Sequence, residues 1–306
     1  MLFLDGVGIG RSDPDVNPLF SATLPGIRSL FDGEVPSLRN RHLSSRSATL
    51  IPLDATLGVE GLPQSGTGQT ALFTGVNGPK IVGKHFGPHP YSTLKPIIEG
   101  KNIFKRLLDA GKRPYFANAF PQRFFDYANL RRSRLTVTTL SCMMSGMPLL
   151  RAENLVRGEG ISADITNTGW PALGYPEMRP IEPREAGRRL ARLSARYDFV
   201  LFEYWQTDHA GHSQNMKEAI EVLEKLDAML LGILETLDTT DTLLLMTSDH
   251  GNIEDLSTKT HTRNPVPTIL YGRSHRQIAR RLQGTSSLGG NLTHVTPALM
   301  EYLTDK

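Results

Sequence analysis

The chain of 306 residues has a single cysteine, Cys142. That excludes an internal disulfide and any zinc site built on thiolates, and it fits a reducing compartment. Long apolar runs are missing too, since no stretch reaches the roughly eighteen residues of a membrane-spanning helix. The first residues, M-L-F-L-D-G-V-G-I-G, carry neither the basic start nor the longer apolar segment of a secretory signal. These absences lead to the expectation of a soluble, cytoplasmic protein without a membrane partner. Charge of one sign is scarce as well. The formal net charge is +3 and the basic residues are dispersed, so nothing in the composition supports a nucleic-acid partner, only a mild preference for anionic ligands. The densest basic stretch, Arg131, Arg132 and Arg134, reads first as a solvated face and second as a contact for an anionic substrate. Internal repeats and low-complexity segments are absent.

A hydrophobic content of 39% in a chain of this length supports a sizeable core, in one large domain or a core with an insertion. Met1–Leu4 reads as a strand ending at Asp5, followed by Gly6, Gly8 and Gly10. The glycine spacing is not that of a dinucleotide loop and no P-loop lysine follows, so Asp5-Gly6 taken alone reads as a turn. Residues Gln69–Thr74 read as a short helix whose start lies near Ser65. That places Ser65 where free N–H groups favour an anion, with ordinary capping by Ser65 or Thr67 as the simpler use.

Further along, Ile103–Ala110 reads as a helix stopped by Gly111, with a strand at Tyr115–Phe120. Residues 121–180 lose any clear period and read as a lid or cap insertion between two core portions, 1–120 and 181–306. Pro183–Ala195 reads as a helix and Phe199–Glu203 as a strand. Beyond it, Asp208 and His212 lie four apart, which brings both to one point on a helical turn. Residues 217–237 form the most regular helical pattern, with Ile220, Leu223, Leu230, Leu234 and Leu237 on one face. The run Leu243–Met246 reads as a buried strand leading into T-S-D-H-G-N, which carries Asp249 and His250. A strand at Thr268–Tyr271 and a helix at Thr293–Leu303, with Pro297 in its first turn, complete the chain.

Three strand ends thus carry Asp5, Asp208 and Asp249, and His212, His250 and His261 follow close by. Carboxylates converging at one sheet edge repel and are costly to desolvate unless cations neutralise them. Carboxylate and imidazole without thiolate suit zinc or manganese, with magnesium also admitted; the number of imidazoles argues against a purely magnesium or calcium site. The other histidines, His42, His85, His89, His209, His275 and His294, read as surface or packing residues, although His85 and His89 with Lys84 follow the Ser65 segment closely enough to line a substrate pocket.

Five segments, D-G-V-G-I-G, S-G-T-G-Q-T-A-L-F-T-G, D-H-A-G-H, S-D-H-G-N and H-T-R-N-P-V-P, resemble the alkaline phosphatase superfamily, and within it the phosphatase domain of the cofactor-independent phosphoglycerate mutases. They stand in the family's order over roughly residues 1–80 and 185–306. The resemblance implies an α/β, alkaline-phosphatase-like three-layer sandwich, a mostly parallel sheet between helices with a small lid insertion. It also implies two divalent metal ions, one held by Asp208, His212 and His261, the other by Asp5, Asp249, His250 and the Ser65 hydroxyl. The superfamily places its nucleophile nine residues before the Thr of a Leu-x-Thr-Gly run; Leu72, Thr74 and Gly75 therefore select Ser65 over Thr67 and Thr70.

The expected activity is hydrolysis of a small anionic phosphorylated substrate through a phosphoserine at Ser65. A mutase of the phosphoglycerate type is the alternative. It needs an enclosing domain to retain its intermediate, and the large insert of those mutases and its Arg- and Asp-rich motif are not found in the sixty or so residues 121–180. Phosphodiesterase or sulfatase chemistry is a further alternative, weakened by the absence of a C/S-x-P-x-R context at Ser65. A non-catalytic metal-binding protein is the alternative of another class. The sequence does not fix the oligomeric state.

Overall fold

A computed structural model describes residues 1–130, 134–283 and 289–304. Its centre is a seven-stranded sheet in the order β2-β3-β9-β8-β1-β7-β4. These strands are β1 (Leu2–Leu4), β2 (Leu43–Ser44), β3 (Ala48–Leu53), β4 (Pro114–Phe116), β7 (Phe199–Tyr204), β8 (Leu244–Ser248) and β9 (Val266–Tyr271). β4, β7, β1, β8 and β3 run one way, β9 and β2 the other. A side pair, β5 (Asn118–Ala119) and β6 (Ile161–Ser162), lies outside it.

The central strands are buried on both faces, which is why L-F-L and F-V-L-F-E-Y are nearly continuous apolar runs. Alternation then sorts their side chains between two cores. Leu2, Leu4, Phe202 and Met246 face the long helix Met216–Thr236 and the helix Pro183–Ser194. Phe3, Leu201 and Leu245 face the helices Ser65–Thr74, Ile103–Asp109 and Val295–Thr304. Helices on both faces of a mostly parallel sheet make three layers. Phe3 meets Phe73 of the Ser65 helix edge to face, 5.1 Å between centroids, an anchor that sets the helix on the sheet.

The strand expected at Tyr115–Phe120 is divided. Backbone pairing with β7 ends at Ala117, whose N–H donates to Leu201 O, and the Asn118 side chain takes it over: its Nδ2 donates to Glu203 O and its Oδ1 accepts from Glu203 N, both at 2.8 Å. The last helix starts at Val295, after a 3-10 turn at Leu292–His294, so Pro297 falls where a missing N–H breaks no intrahelical bond. Residues 121–180 contribute to three places, Ile161 and Ile165 joining the core beneath the long helix. Their helix Val137–Met144 buries Val137 and Cys142 in the main core, where burial pushes the Cys142 thiol up to about 12. Leu150, Leu155, Trp170 and Met178 form a small cluster of their own. Among the described residues no helix is long and apolar enough to cross a membrane.

Register brings the site together. Leu4 is level with both Ser248 and Tyr204, so the chain leaves three adjacent parallel strands at one height, just before Asp5, Asp249 and the helix Gln206–Ser213 that bears Asp208 and His212. β9 runs antiparallel to β8, so the segment from His261 that precedes it enters at this same carboxyl edge, where Ile9 N donates to Pro265 O at 2.8 Å. Ligands of open α/β sheets bind at such an edge.

Candidate metal centre

The structure gathers the predicted residues into two groups, Asp5 with Asp249 and His250, and Asp208 with His212 and His261. Within each group the ligand atoms lie within 4.8 Å of one another. The groups are neighbours, with the rings of His250 and His261 stacked at 3.8 Å between centroids and 17° between planes.

In the first group His250 Nε2 is 3.2 Å from Asp5 Oδ1 and 3.6 Å from Asp249 Oδ2. Burial and the Asp249 carboxylate lift the Asp5 carboxyl well above its ordinary value. For His250, burial opposes protonation, but Asp249, then Asp5 and Asp208, outweigh it and raise the imidazole to about 10. Asp5 Oδ1 and Asp249 Oδ2 are buried without a hydrogen bond. Such atoms call for a cation.

The second group makes the same point through tautomers. His212 Nδ1 lies 2.9 Å from Lys259 O and His261 Nδ1 2.7 Å from Pro63 O. A carbonyl only accepts, so in each neutral ring the hydrogen sits on Nδ1 and Nε2 keeps a bare lone pair. The two Nε2 atoms then face each other at 3.1 Å, 3.4 and 3.5 Å from the Asp208 oxygens. Two lone pairs and a carboxylate aimed at one point form a ligand set with its outer N–H groups already tied to carbonyls. The donor sets therefore fit two divalent ions. Burial works to raise Asp208, yet contacts with His261, His250 and Asn252 hold its carboxyl well below the usual range.

Ser65 is the first residue of its helix. Gln64 occupies the cap position without a side-chain bond, and Thr67 Oγ1 donates to Gln64 O and accepts from Phe86 N, so neither hydroxyl caps the helix in the expected way. Ser65 Oγ instead lies 3.0 Å from His250 Nε2, almost fully buried. Thr70 Oγ1 donates back to Gly66 O, and Thr67 faces the loop at Phe86. A Cβ at Gly66 would collide with His89 O and come within 2.8 Å of Phe86 O, so glycine lets the 86–89 loop lie against the helix start.

Of the remaining candidates, His275 bonds Thr49, His294 lies on Leu282 O, His209 approaches Glu218, and His85 lies 3.2 Å from Val59 O. His42 is exposed. Burial lowers both His85 and His89, and Arg134 adds to this for His89. Arg134 is exposed, its N–H bonded to the Tyr127 hydroxyl; Arg131 and Arg132 lie outside the described residues.

Sequence reasoning missed the residues that hold the ligands. Gln69 Nε2 donates to Asp5 Oδ2 at 3.3 Å, Thr207 Oγ1 donates to Asp5 O, and Asn252 Nδ2 donates to Asp208 Oδ1 at 2.6 Å. Each sits inside or beside a recognised segment, so position within S-G-T-G-Q or D-H-G-N was the available signal.

Fold and donor sets together define a metalloenzyme of the alkaline-phosphatase kind. Residues 182–306 match the family model described as Metalloenzyme superfamily. The chain is 33% identical over 138 residues to a 2,3-bisphosphoglycerate-independent phosphoglycerate mutase of Thermomicrobium roseum, and 33% over 136 residues to that of Thiobacillus denitrificans. Each match covers 42% of this chain and only 25% of the relative's length. Among solved structures, PH0037 protein from Pyrococcus horikoshii shares the fold with a TM-score of 0.57 and 16% identity, over 99% of this chain and 96% of that one. Alkaline phosphatase from the Antarctic bacterium TAB5 does so with a TM-score of 0.52 and 13% identity, over 99% and 97%. These findings support an alkaline phosphatase superfamily member related to the 2,3-bisphosphoglycerate-independent phosphoglycerate mutases.

Proposed function

We propose that the protein is a two-metal phosphomonoesterase acting through Ser65. Asp208, His212 and His261 hold one divalent ion, and Asp5, Asp249 and His250 with the Ser65 hydroxyl hold the other. When bound, such ions act as Lewis acids that stabilise charge developing on phosphoryl oxygens and lower the pKa of a hydroxyl.

Ser65 carries this reading. A serine hydroxyl 3.0 Å from His250 Nε2, at the first position of a buried helix, joins a nucleophile to a ligand group and to free backbone N–H donors. Its Oγ gives up its proton and forms the new bond to phosphorus, while the ester oxygen leaves with the bonding pair and ends with that proton. The N–H groups of Ser65 and Gly66 receive the phosphoryl oxygens, since those of Thr67 and Gly68 already donate to Phe86 O and Gln64 O. Water then takes the phosphoryl group from Ser65 and restores the hydroxyl. Gln69 keeps Asp5, and Asn252 keeps Asp208, aimed at the site throughout.

Hydrolysis is favoured over transfer because the helix Val137–Met144 packs into the main core, leaving only part of residues 121–180 to enclose an intermediate. The mutase reading draws on the likeness to phosphoglycerate mutases. Phosphorus NMR with manganese and 3-phosphoglycerate separates them. Release of inorganic phosphate, abolished in Ser65→Ala, supports the hydrolase; accumulation of 2-phosphoglycerate overturns it in favour of the mutase.

A further inference from the structure

The segment D-H-G-N-I-E ends in a carboxylate that belongs to neither ligand group. Glu254 is 1% exposed, and both of its oxygens are used. Oε2 accepts from Gly8 N at 2.8 Å and from Asn252 N at 2.7 Å. Oε1 accepts from the Thr262 hydroxyl and from Asn264 Nδ2, the latter at 3.1 Å. Those four donors come from three separate loops: the one that follows Asp5, the one that begins with Asp249 and His250, and the one that begins with His261. A tie to a fourth segment is indirect. Asn252, fixed through its N–H by Glu254, donates from its side chain to Asp208 O at 3.1 Å as well as to Oδ1.

The backbone is shaped for this carboxylate. A Cβ at Gly8 or at Gly251 would collide with it, so two glycines on different loops are what let the chain close around Glu254. Gly251 and Thr262 also pair across the gap, Thr262 N donating to Gly251 O at 3.0 Å.

We infer that Glu254 is a positioning residue that locks the loops of the two ligand groups into one unit, its Oε2 side setting Asp5, Asp249 and His250 and, through Asn252, Asp208, and its Oε1 side setting His261. The inference rests on the two-ion reading of the site. A buried acceptor with four donors is rigid, and a rigid outer layer fixes the direction of the groups that touch an ion. The two oxygens serve different loops, so their effects separate.

The test is calorimetric titration of chelator-stripped protein with Mn²⁺, one group at a time, in Asp249→Asn and Asp208→Asn backgrounds. Thr262→Val removes one of the two donors from the His261 loop to Oε1, and with it the acceptor at 3.2 Å for the N–H of Asn264, the other donor, while keeping the side chain's shape. It should weaken binding at Asp208, His212 and His261 at least tenfold and leave binding at Asp5, Asp249 and His250 within threefold. Glu254→Ala should weaken both at least tenfold. Glu254→Gln can keep one carbonyl towards Gly8 and Asn252 and turn its amide towards Thr262 and Asn264, which can both reorient to accept, so it should keep both within threefold. A carboxylate that only stabilises the fold would lower melting temperatures and leave the ratio of the two affinities unchanged; that result in Thr262→Val overturns the inference, and Thr262→Val decides the matter even where Glu254→Ala does not fold. Should the parent protein bind no Mn²⁺ at either group, the two-ion reading itself falls and this inference with it. Two bound ions with affinities indifferent to Thr262→Val and Glu254→Ala would sink the inference alone.

Discussion

The Nε2 atoms of His212 and His261 face each other at 3.1 Å with both Nδ1 hydrogens committed to backbone carbonyls. Without a cation this places two lone pairs and the Asp208 carboxylate together, which is unfavourable in a partly buried site. Divalent ions should therefore stabilise the fold. At a free Mn²⁺ concentration a hundredfold above the dissociation constant, each site adds about 2.7 kcal/mol. Thermal unfolding with and without chelator measures this, and Asp208→Asn should remove a large part of the shift.

His250 gives the site a pH dependence. Its imidazole is raised from 6.5 to about 10 by Asp249 and Asp5 against the effect of burial. In metal-free protein the stability from this pairing is fully present below about 6.5 and is lost as pH rises through about 10. A divalent ion must displace the same proton, so Mn²⁺ affinity should climb by up to about tenfold per pH unit below 10 and then level. Isothermal titration in buffers of different ionisation enthalpy counts the released proton; no release would contradict the assignment of His250.

Glu203 titrates in the opposite chemical sense with the same sign. Burial raises its carboxyl from 4.5 to about 7, with the Thr138 hydroxyl bonded to it and Oε1 unpartnered. The folded state keeps a proton that the unfolded chain loses, so stability is greatest below 4.5 and falls as pH rises through 7, by at most about 1.4 kcal/mol per unit. Urea unfolding of chelator-treated Glu203→Gln should show that slope flattened between pH 4.5 and 7.

Gly66 should be intolerant of a side chain. Gly66→Ala would drive a methyl group into the carbonyl of His89, separating the 86–89 loop from the start of the Ser65 helix. Overpacking of this kind costs about 1–3 kcal/mol, read from the urea midpoint at constant slope. Phosphatase activity should fall further than stability does, because the displaced loop borders Ser65.

Much of this candidate centre was legible because the residues that could hold a metal ion sit in short segments at strand ends. The strands are apolar runs buried on both faces, so L-F-L before Asp5 and L-L-M-T-S before Asp249 mark their own carboxyl ends. Asp208 and His212 declared themselves by a four-residue spacing, and the helix Gln206–Ser213 supplies it. Other features depend on contacts distant in sequence. The division at Ala117 arises because Asn118 bonds to Glu203, 85 residues away, and no local period encodes that. The basic helix His275–Gln283 went unread, since Arg276, Arg280 and Arg281 mask its buried stripe of Ile278, Ala279 and Leu282. Glu254 was invisible for a related reason: its four donors come from residues 8, 252, 262 and 264, and only the fold brings them together.

The most direct measurement is a search for phosphate on Ser65. Protein loaded with Mn²⁺ and mixed with a phosphomonoester is quenched in acid within its first turnover, digested and mapped by mass spectrometry. The account predicts phosphoserine at position 65, absent from Ser65→Ala and from chelator-treated protein. Turnover of the ester with no phosphate on Ser65, and activity retained in Ser65→Ala, would contradict it.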